Sequence, residues 1–217
     1  MAMEPGYHES CPRRIRAYRA GLCVVDTTNA EYFWEHEYFP AWFIRESDVV
    51  LDVLPNDVVR RDERMPGHVC VVWSSVDQWF EEDEEVFVHP QDPYKRVDVR
   101  DSSRHVQVVI DGTVLADCHR PVLLFETSLP TRFYLPKLDV RFDLLVPTAR
   151  VTNCPYKGTA EYWSLEVNGK SYPDIVWGYR CPKPDLTKIA GHVCFYDEQV
   201  DVILDGVSLS HPVTQFS

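Results

Sequence analysis

Val106-Gln107-Val108-Val109-Ile110-Asp111-Gly112-Thr113-Val114-Leu115-Ala116-Asp117 is the stretch that decides the fold class. Two apolar, β-branched runs flank an Asp-Gly pair, the dipeptide that suits the left-handed backbone of a two-residue hairpin turn. The same reading recurs at Asn168-Gly169, between residues 162–167 and 171–176, and at Asp205-Gly206, between 200–204 and 207–209. Each run has the length of a strand. No long amphipathic helix is visible, and 16 prolines, several beside the apolar runs, favour short strands and irregular connections. Residues 139–145 hold about one helical turn at most, with Asp139 as its cap. The expectation is a mainly β protein of antiparallel units with little helix.

An internal comparison extends this reading. At an offset of 91, Gly21 falls on Gly112, Asp26 on Asp117, Glu35 on Glu126, Asp48 on Asp139, Val49 on Val140, Asp52 on Asp143 and Leu54 on Leu145. After a gap, Gly67-His68-Val69-Cys70 falls on Gly191-His192-Val193-Cys194, and His89-Pro90 on His211-Pro212. The order of landmarks predicts two related units. Residues 1–12 form a tail, 13–99 a shortened first unit, 100–103 a linker and 104–217 a complete second unit. The segment missing from the first unit includes Cys154-Pro155-Tyr156-Lys157-Gly158 and Tyr162-Trp163.

The second unit resembles the domain of unknown function 427 family. The resemblance rests on Glu126-Thr127-Ser128-Leu129-Pro130-Thr131-Arg132-Phe133-Tyr134-Leu135-Pro136, on Cys154-Pro155-Tyr156-Lys157-Gly158 with Tyr162-Trp163, and on Gly191-His192-Val193-Cys194-Phe195-Tyr196. It implies a compact β fold of β-tent or barrel-like type, and the family carries a nucleotidyltransferase-like label. The chain has no Gly-Ser or Gly-Gly pair and no paired carboxylates two apart on a convincing strand, so the residues give that label little support.

Composition narrows the function classes. The 217 residues carry 22 Lys+Arg against 34 Asp+Glu, a formal charge of −12, which argues against nucleic-acid and anionic-membrane partners. No apolar run approaches the roughly 18 residues of a membrane span, and the first residues lack a signal-peptide core, so a cytoplasmic protein is expected. Seven cysteines without a C-x-x-C pair indicate neither a disulfide framework nor a zinc knuckle. The His-x-Cys pairs at 68–70 and 192–194 are read as strand residues of common descent, and no metal is expected. The residues name neither a cofactor nor an oligomeric state.

Charge is uneven along the chain. Between Ser128 and Ala160, Arg132, Lys137, Arg141, Arg150 and Lys157 face only Asp139 and Asp143. This contrast predicts a site for a small anionic molecule in the second unit. Arg132 and Lys157 are its candidate anion-binding groups, and Tyr134, Trp163 and Trp177 its candidate walls. Glu126, at the end of an apolar run, is a candidate acid or base, and Cys154, with a lysine three residues on, a candidate nucleophile. An enzyme of unassigned reaction and a non-catalytic ligand-binding module both fit these residues. A third class is an interaction protein that offers the acidic hairpin tip Glu81-Glu82-Asp83-Glu84-Glu85 to a basic partner.

Overall fold

The computed structural model describes residues 3–214 and divides into two units, residues 1–94 and 95–217. The first unit contains β1 (His8–Ser10), β2 (Ile15–Arg19), β3 (Leu22–Thr27), β4 (Glu31–Phe33), β5 (Ala41–Arg45), β6 (Val59–Arg60), β7 (His68–Val71), β8 (Gln78–Glu81) and β9 (Glu84–Val86). The second contains β10 (Val97–Asp101), β11 (Val106–Ile110), β12 (Thr113–Cys118), β13 (Val122–Glu126), β14 (Arg132–Pro136), β15 (Leu145–Cys154), β16 (Gly158–Val167), β17 (Lys170–Tyr179), β18 (His192–Phe195), β19 (Asp201–Leu204) and β20 (Val207–Ser208). Among the described residues every strand pairing is antiparallel and the only helical pieces are short 3-10 turns. The fold is mainly β, with several antiparallel sheets and no closed barrel among the described residues.

The three expected hairpins turn where the x-Gly pairs stand. Asp111-Gly112, Asn168-Gly169 and Asp205-Gly206 all have positive φ at both positions, as a two-residue turn matched to strand twist requires. The β16–β17 hairpin is longer than its apolar runs suggest, with ten residues in each arm. Around Asp139 the structure holds two 3-10 turns, Lys137–Asp139 and Phe142–Leu144, in place of one capped turn. Asp139 caps neither; its carboxylate accepts two bonds from Arg120 at 2.9 and 3.1 Å.

Two boundaries differ from the sequence reading. Residues 8–10, assigned to a tail, form β1 against β4, and Cys11 is buried. Arg100 and Asp101, assigned to a linker, belong to β10 and pair with Leu123 and Val122. An extended edge strand completes its backbone hydrogen bonds by joining a sheet, which a polar sequence alone does not reveal.

In the second unit, the seven-stranded sheet runs β10-β13-β14-β18-β17-β16-β15 and the four-stranded sheet β12-β11-β19-β20. Alternation splits the side chains of the large sheet between two faces. One face sends Leu123, Phe133, Leu135, Trp163, Leu165 and Val193 into a core shared with Val106, Val108, Leu115 and Val202 of the small sheet. The opposite face carries Leu124, Tyr134, Tyr162, Trp177, Tyr179 and Cys194, packed with Leu186 and Ile189 from the turn Pro184–Ile189. The first unit has its own five-stranded and four-stranded sheets, ordered β1-β4-β5-β7-β6 and β3-β2-β8-β9. Local irregularities recur between the units at the 91-residue offset. The β2–β3 pairing shifts register at Ala17/Tyr18 and β11–β12 at Val108/Val109, and isolated bridges join Val25 to Val49 and Ala116 to Val140.

Candidate functional site

Three of the singled-out residues meet at one corner of the second unit. Glu126 ends β13 with its side chain only 5% exposed. Lys157 lies in the tight turn joining β15 to β16, and its ammonium rests on the Glu126 carboxylate. The same ammonium is 4.0 Å from the Cys154 sulfur. Lys95, not singled out from the sequence, brings a second ammonium to 3.2 Å from the other Glu126 oxygen and lies 5.6 Å from the centre of the Tyr156 ring. Two cations thus share one carboxylate beside a half-buried thiol.

The turn explains how Lys157 reaches across. Cys154 pairs with Gly158, and Gly158 adopts φ +100, a backbone that favours glycine. A Cβ there would also stand 3.3 Å from the Cys181 carbonyl oxygen, so the turn is seated closely against residues 181–183. The Lys183 N–H donates to the Lys157 carbonyl at 3.1 Å, which fixes the turn further. Behind the corner, burial first, and then the neighbouring Cys154, Tyr162 and Glu126, push the Tyr179 phenol well above its ordinary range. It remains a neutral wall with a hydroxyl to offer.

Arg132 lies elsewhere in the charge pattern. Its guanidinium makes a two-armed pair with Glu198, at 2.9 and 2.6 Å, and the Glu198 side chain is wholly covered. Asp197 lies 3.7 Å from it, and the ring of Trp177 5.6 Å. With Glu198 taking both arms, this arginine has no net charge left over for an anion. Its partner is 66 positions away and was not evident from the sequence.

The expected walls divide between faces. Tyr134 and Trp177 share the face that also carries Cys154, with the Trp177 indole N–H donating to the Tyr134 hydroxyl at 3.3 Å. Tyr134 is only 1% exposed, and burial pushes its phenol well above the usual value, so it supports the face from beneath. Trp163 points to the opposite side, into the inter-sheet core, with Phe142 at 5.8 Å and the Lys137 ammonium 4.7 Å from its ring centre. Adjacent residues on a strand face opposite ways, which is why Tyr162 and Trp163 part company.

A cleft of about 300 Å³ opens beside the inter-sheet core, lined by Leu123, Phe125, Phe133, Val202, Asp197 and His211 among others. Burial, opposed by Arg132 and aided by Glu198, raises the Asp197 carboxyl to about 7. Burial wins over the nearby arginine because Glu198 already takes both guanidinium arms. His211 points Nδ1 at the Glu198 carbonyl, 3.2 Å away, and Nε2 at the Asp201 carboxylate, 2.9 Å away. Both partners are acceptors, so the ring that makes both bonds carries both protons, and the Asp201 bond raises its pKa. Asp197 and Glu198 were not singled out from the sequence, and His211 only as a landmark of the internal comparison.

The acidic hairpin of the first unit is β8–β9. Glu81 turns inward, accepting a bond from Arg13 at 2.6 Å and one from Tyr32 at 3.2 Å. Asp83 pairs with Arg16 at 2.7 Å. The carboxylate at Glu35, which stands where the second unit has Glu126, accepts two arms of Arg60 at 2.6 and 2.9 Å.

Comparison with known proteins gives one family. The model described as Domain of unknown function (DUF427) matches residues 98–206, from within β10 to the turn after β19. No curated protein matches the chain. Among the described residues, no helix is long and apolar enough to cross a membrane.

Proposed function

The chain belongs to the Domain of unknown function (DUF427) family, whose description names no activity, and we propose from the site itself that the second unit binds a small anionic molecule at the corner formed by Glu126, Lys157, Lys95 and Cys154. The observation that carries this reading is the sharing of one nearly buried carboxylate between two ammonium groups. One positive charge is left over, in a chain whose formal charge is −12. Such a contrast concentrates an anion at the corner and disfavours it elsewhere. Tyr156 and Tyr179 supply ring surface and a hydroxyl beside the charge.

Within this reading Glu126 is the group that holds both lysines in place. Each of its oxygens is taken up by an ammonium, so any covalent step falls to Cys154. A binding module without chemistry is therefore the simpler form of the proposal, and a thiol-dependent enzyme the alternative. The first unit is read as a shortened relative in which the Glu35–Arg60 pair leaves no cation in excess.

The test is to equilibrate the protein with a mixture of small carboxylates and phosphates and identify what is retained. Lys157→Met is expected to abolish retention. Cys154→Ala separates the two forms: a compound retained and released unchanged by both proteins marks a binding module, whereas turnover lost with Cys154→Ala marks an enzyme. Retention unaltered by Lys157→Met contradicts both.

A further inference from the structure

A second cluster of chemistry-bearing side chains lies on the solvent face of the β11–β12 hairpin, away from that corner. The register pairs Val106 with Cys118 and Gln107 with Asp117. Val106 and Cys118 are buried, so alternation turns His105, Gln107, Asp117 and His119 outward together. One ligand atom from each of His105, Asp117 and His119 lies within 4.8 Å of the others. His105 Nε2 is 2.7 Å from one oxygen of Asp117, and the two imidazoles stack with centroids 4.0 Å apart. Gln107 donates to the other Asp117 oxygen at 2.9 Å, which orients the carboxylate. The His105 N–H donates to Asp205 at 2.9 Å, anchoring the backbone at that end of the hairpin.

The geometry points to a binding site for one divalent transition ion of the zinc class, ligated by His105, Asp117 and His119 with a water in the open position. A tetrahedral ion with ligands about 2.0–2.2 Å away holds their atoms about 3.3 Å apart. The His105–Asp117 separation is 2.7 Å and all three lie within 4.8 Å, a spread that rotation of exposed side chains brings to the value an ion requires. Two imidazoles and one carboxylate suit zinc and its first-row neighbours, whereas calcium and magnesium seek oxygen ligands. Gln107 is a positioning residue in this scheme, holding the carboxylate as outer partners of metal ligands do.

The first unit supplies an internal contrast. At the 91-residue offset, Arg14 stands for His105, Asp26 for Asp117 and Thr28 for His119. There the guanidinium grips the carboxylate with two arms, at 2.7 and 2.5 Å. A guanidinium keeps its protons and offers no lone pair, so that hairpin forms an ion pair where the other offers three ligands. One ion per chain follows.

The experiment uses untagged, chelator-treated full-length protein titrated with Zn²⁺ alone by calorimetry and with Co²⁺ alone by visible absorption. The expected result is one equivalent bound, with His119→Ala and Asp117→Asn each weakening Zn²⁺ at least about tenfold, since losing even an outer partner of a metal ligand costs that much. His8→Ala, which removes another histidine near a carboxylate, leaves binding unchanged. Circular dichroism confirms that the variants stay folded, since all three ligands lie on the solvent face. Absence of binding by the parent protein, or binding that survives both ligand substitutions unweakened, overturns the inference.

Discussion

Lys157 rests its ammonium on the carboxylate of Glu126, across 31 positions of sequence, while Lys95 approaches the other oxygen at 3.2 Å. The two lysines therefore depend on one acid, and the energetic consequences are unequal. Glu126→Gln leaves two confined cations facing each other and is expected to cost about 1–3 kcal/mol. Lys157→Met leaves Glu126 with Lys95 still beside it and costs less. The double variant should cost less than the sum of the two, because its second change removes a group already unpaired. Urea unfolding of the four proteins, followed by tyrosine and tryptophan fluorescence, measures the coupling; strict additivity would contradict it.

Thiol chemistry separates the cysteines by burial. Cys181 is exposed, Cys154 and Cys23 are half-buried, and Cys11, Cys70, Cys118 and Cys194 are buried. Burial also pushes the Cys70 and Cys118 thiols up to about 11 and raises Cys194 well above its ordinary value. Brief alkylation of the native protein should label Cys181, Cys154 and Cys23 and spare the other four, as peptide mass mapping would show. Rapid labelling of Cys194 would mean that its face of the large sheet is open.

Asp197 gives stability a definite pH dependence. Its carboxyl titrates near 7 in the folded protein against about 3.8 when unperturbed, so between those values the folded state holds a proton that the unfolded state has released. The stabilisation is fully present below about pH 3.8 and is lost as pH rises through about 7. His211, whose pKa is raised by Asp201, adds a loss of the same sign above its ordinary 6.5. Asp197→Asn should remove the first decline, so that its melting temperature relative to the parent increases between pH 4 and 7. A parent and variant whose difference stays constant across that range would refute the assignment.

Gly178 is a packing constraint at the centre of the large sheet. A Cβ there would lie 2.7 Å from the His192 carbonyl oxygen and 3.3 Å from Val193 Cγ1. Backbone cannot yield as a flexible side-chain tip does, so Gly178→Ala should destabilise the protein by about 1–3 kcal/mol, the range of an overpacked core. A melting temperature equal to that of the parent would show that β17 and β18 separate more easily than the register implies.

The hairpins were legible because Asp-Gly and Asn-Gly fix both the place and the handedness of a turn. Strand β15 was not, for a physical reason: it is an edge strand, mostly exposed, with Pro147 inside it and a shift of register between Pro147 and Val151. Such a strand shows neither the alternation of a half-buried strand nor a continuous apolar run. For the site, the residue types of Glu126, Cys154 and Lys157 were visible, but their partners were not. Lys95 lay in the segment assigned to the first unit, and Glu198 pairs with Arg132 from across the fold. The His105–Asp117–His119 cluster was hidden by the register shift at Val108/Val109: an unbroken register outward from Asp111-Gly112 would set Asp117 against Val106, whereas the observed one sets it against Gln107, diagonal to His105.

The central claim, an anion-attracting corner around a reachable thiol, is tested most directly by the rates at which Cys154 reacts with iodoacetate and with iodoacetamide. The reagents are similar in size, and only the first carries a charge. With one excess cation about 4 Å away, the iodoacetate-to-iodoacetamide rate ratio at Cys154 should exceed that of a free model thiol by about threefold or more at low salt, and Lys157→Met should abolish the excess. A ratio at or below that of the model thiol in the parent protein, or one that Lys157→Met leaves unchanged, would contradict the account.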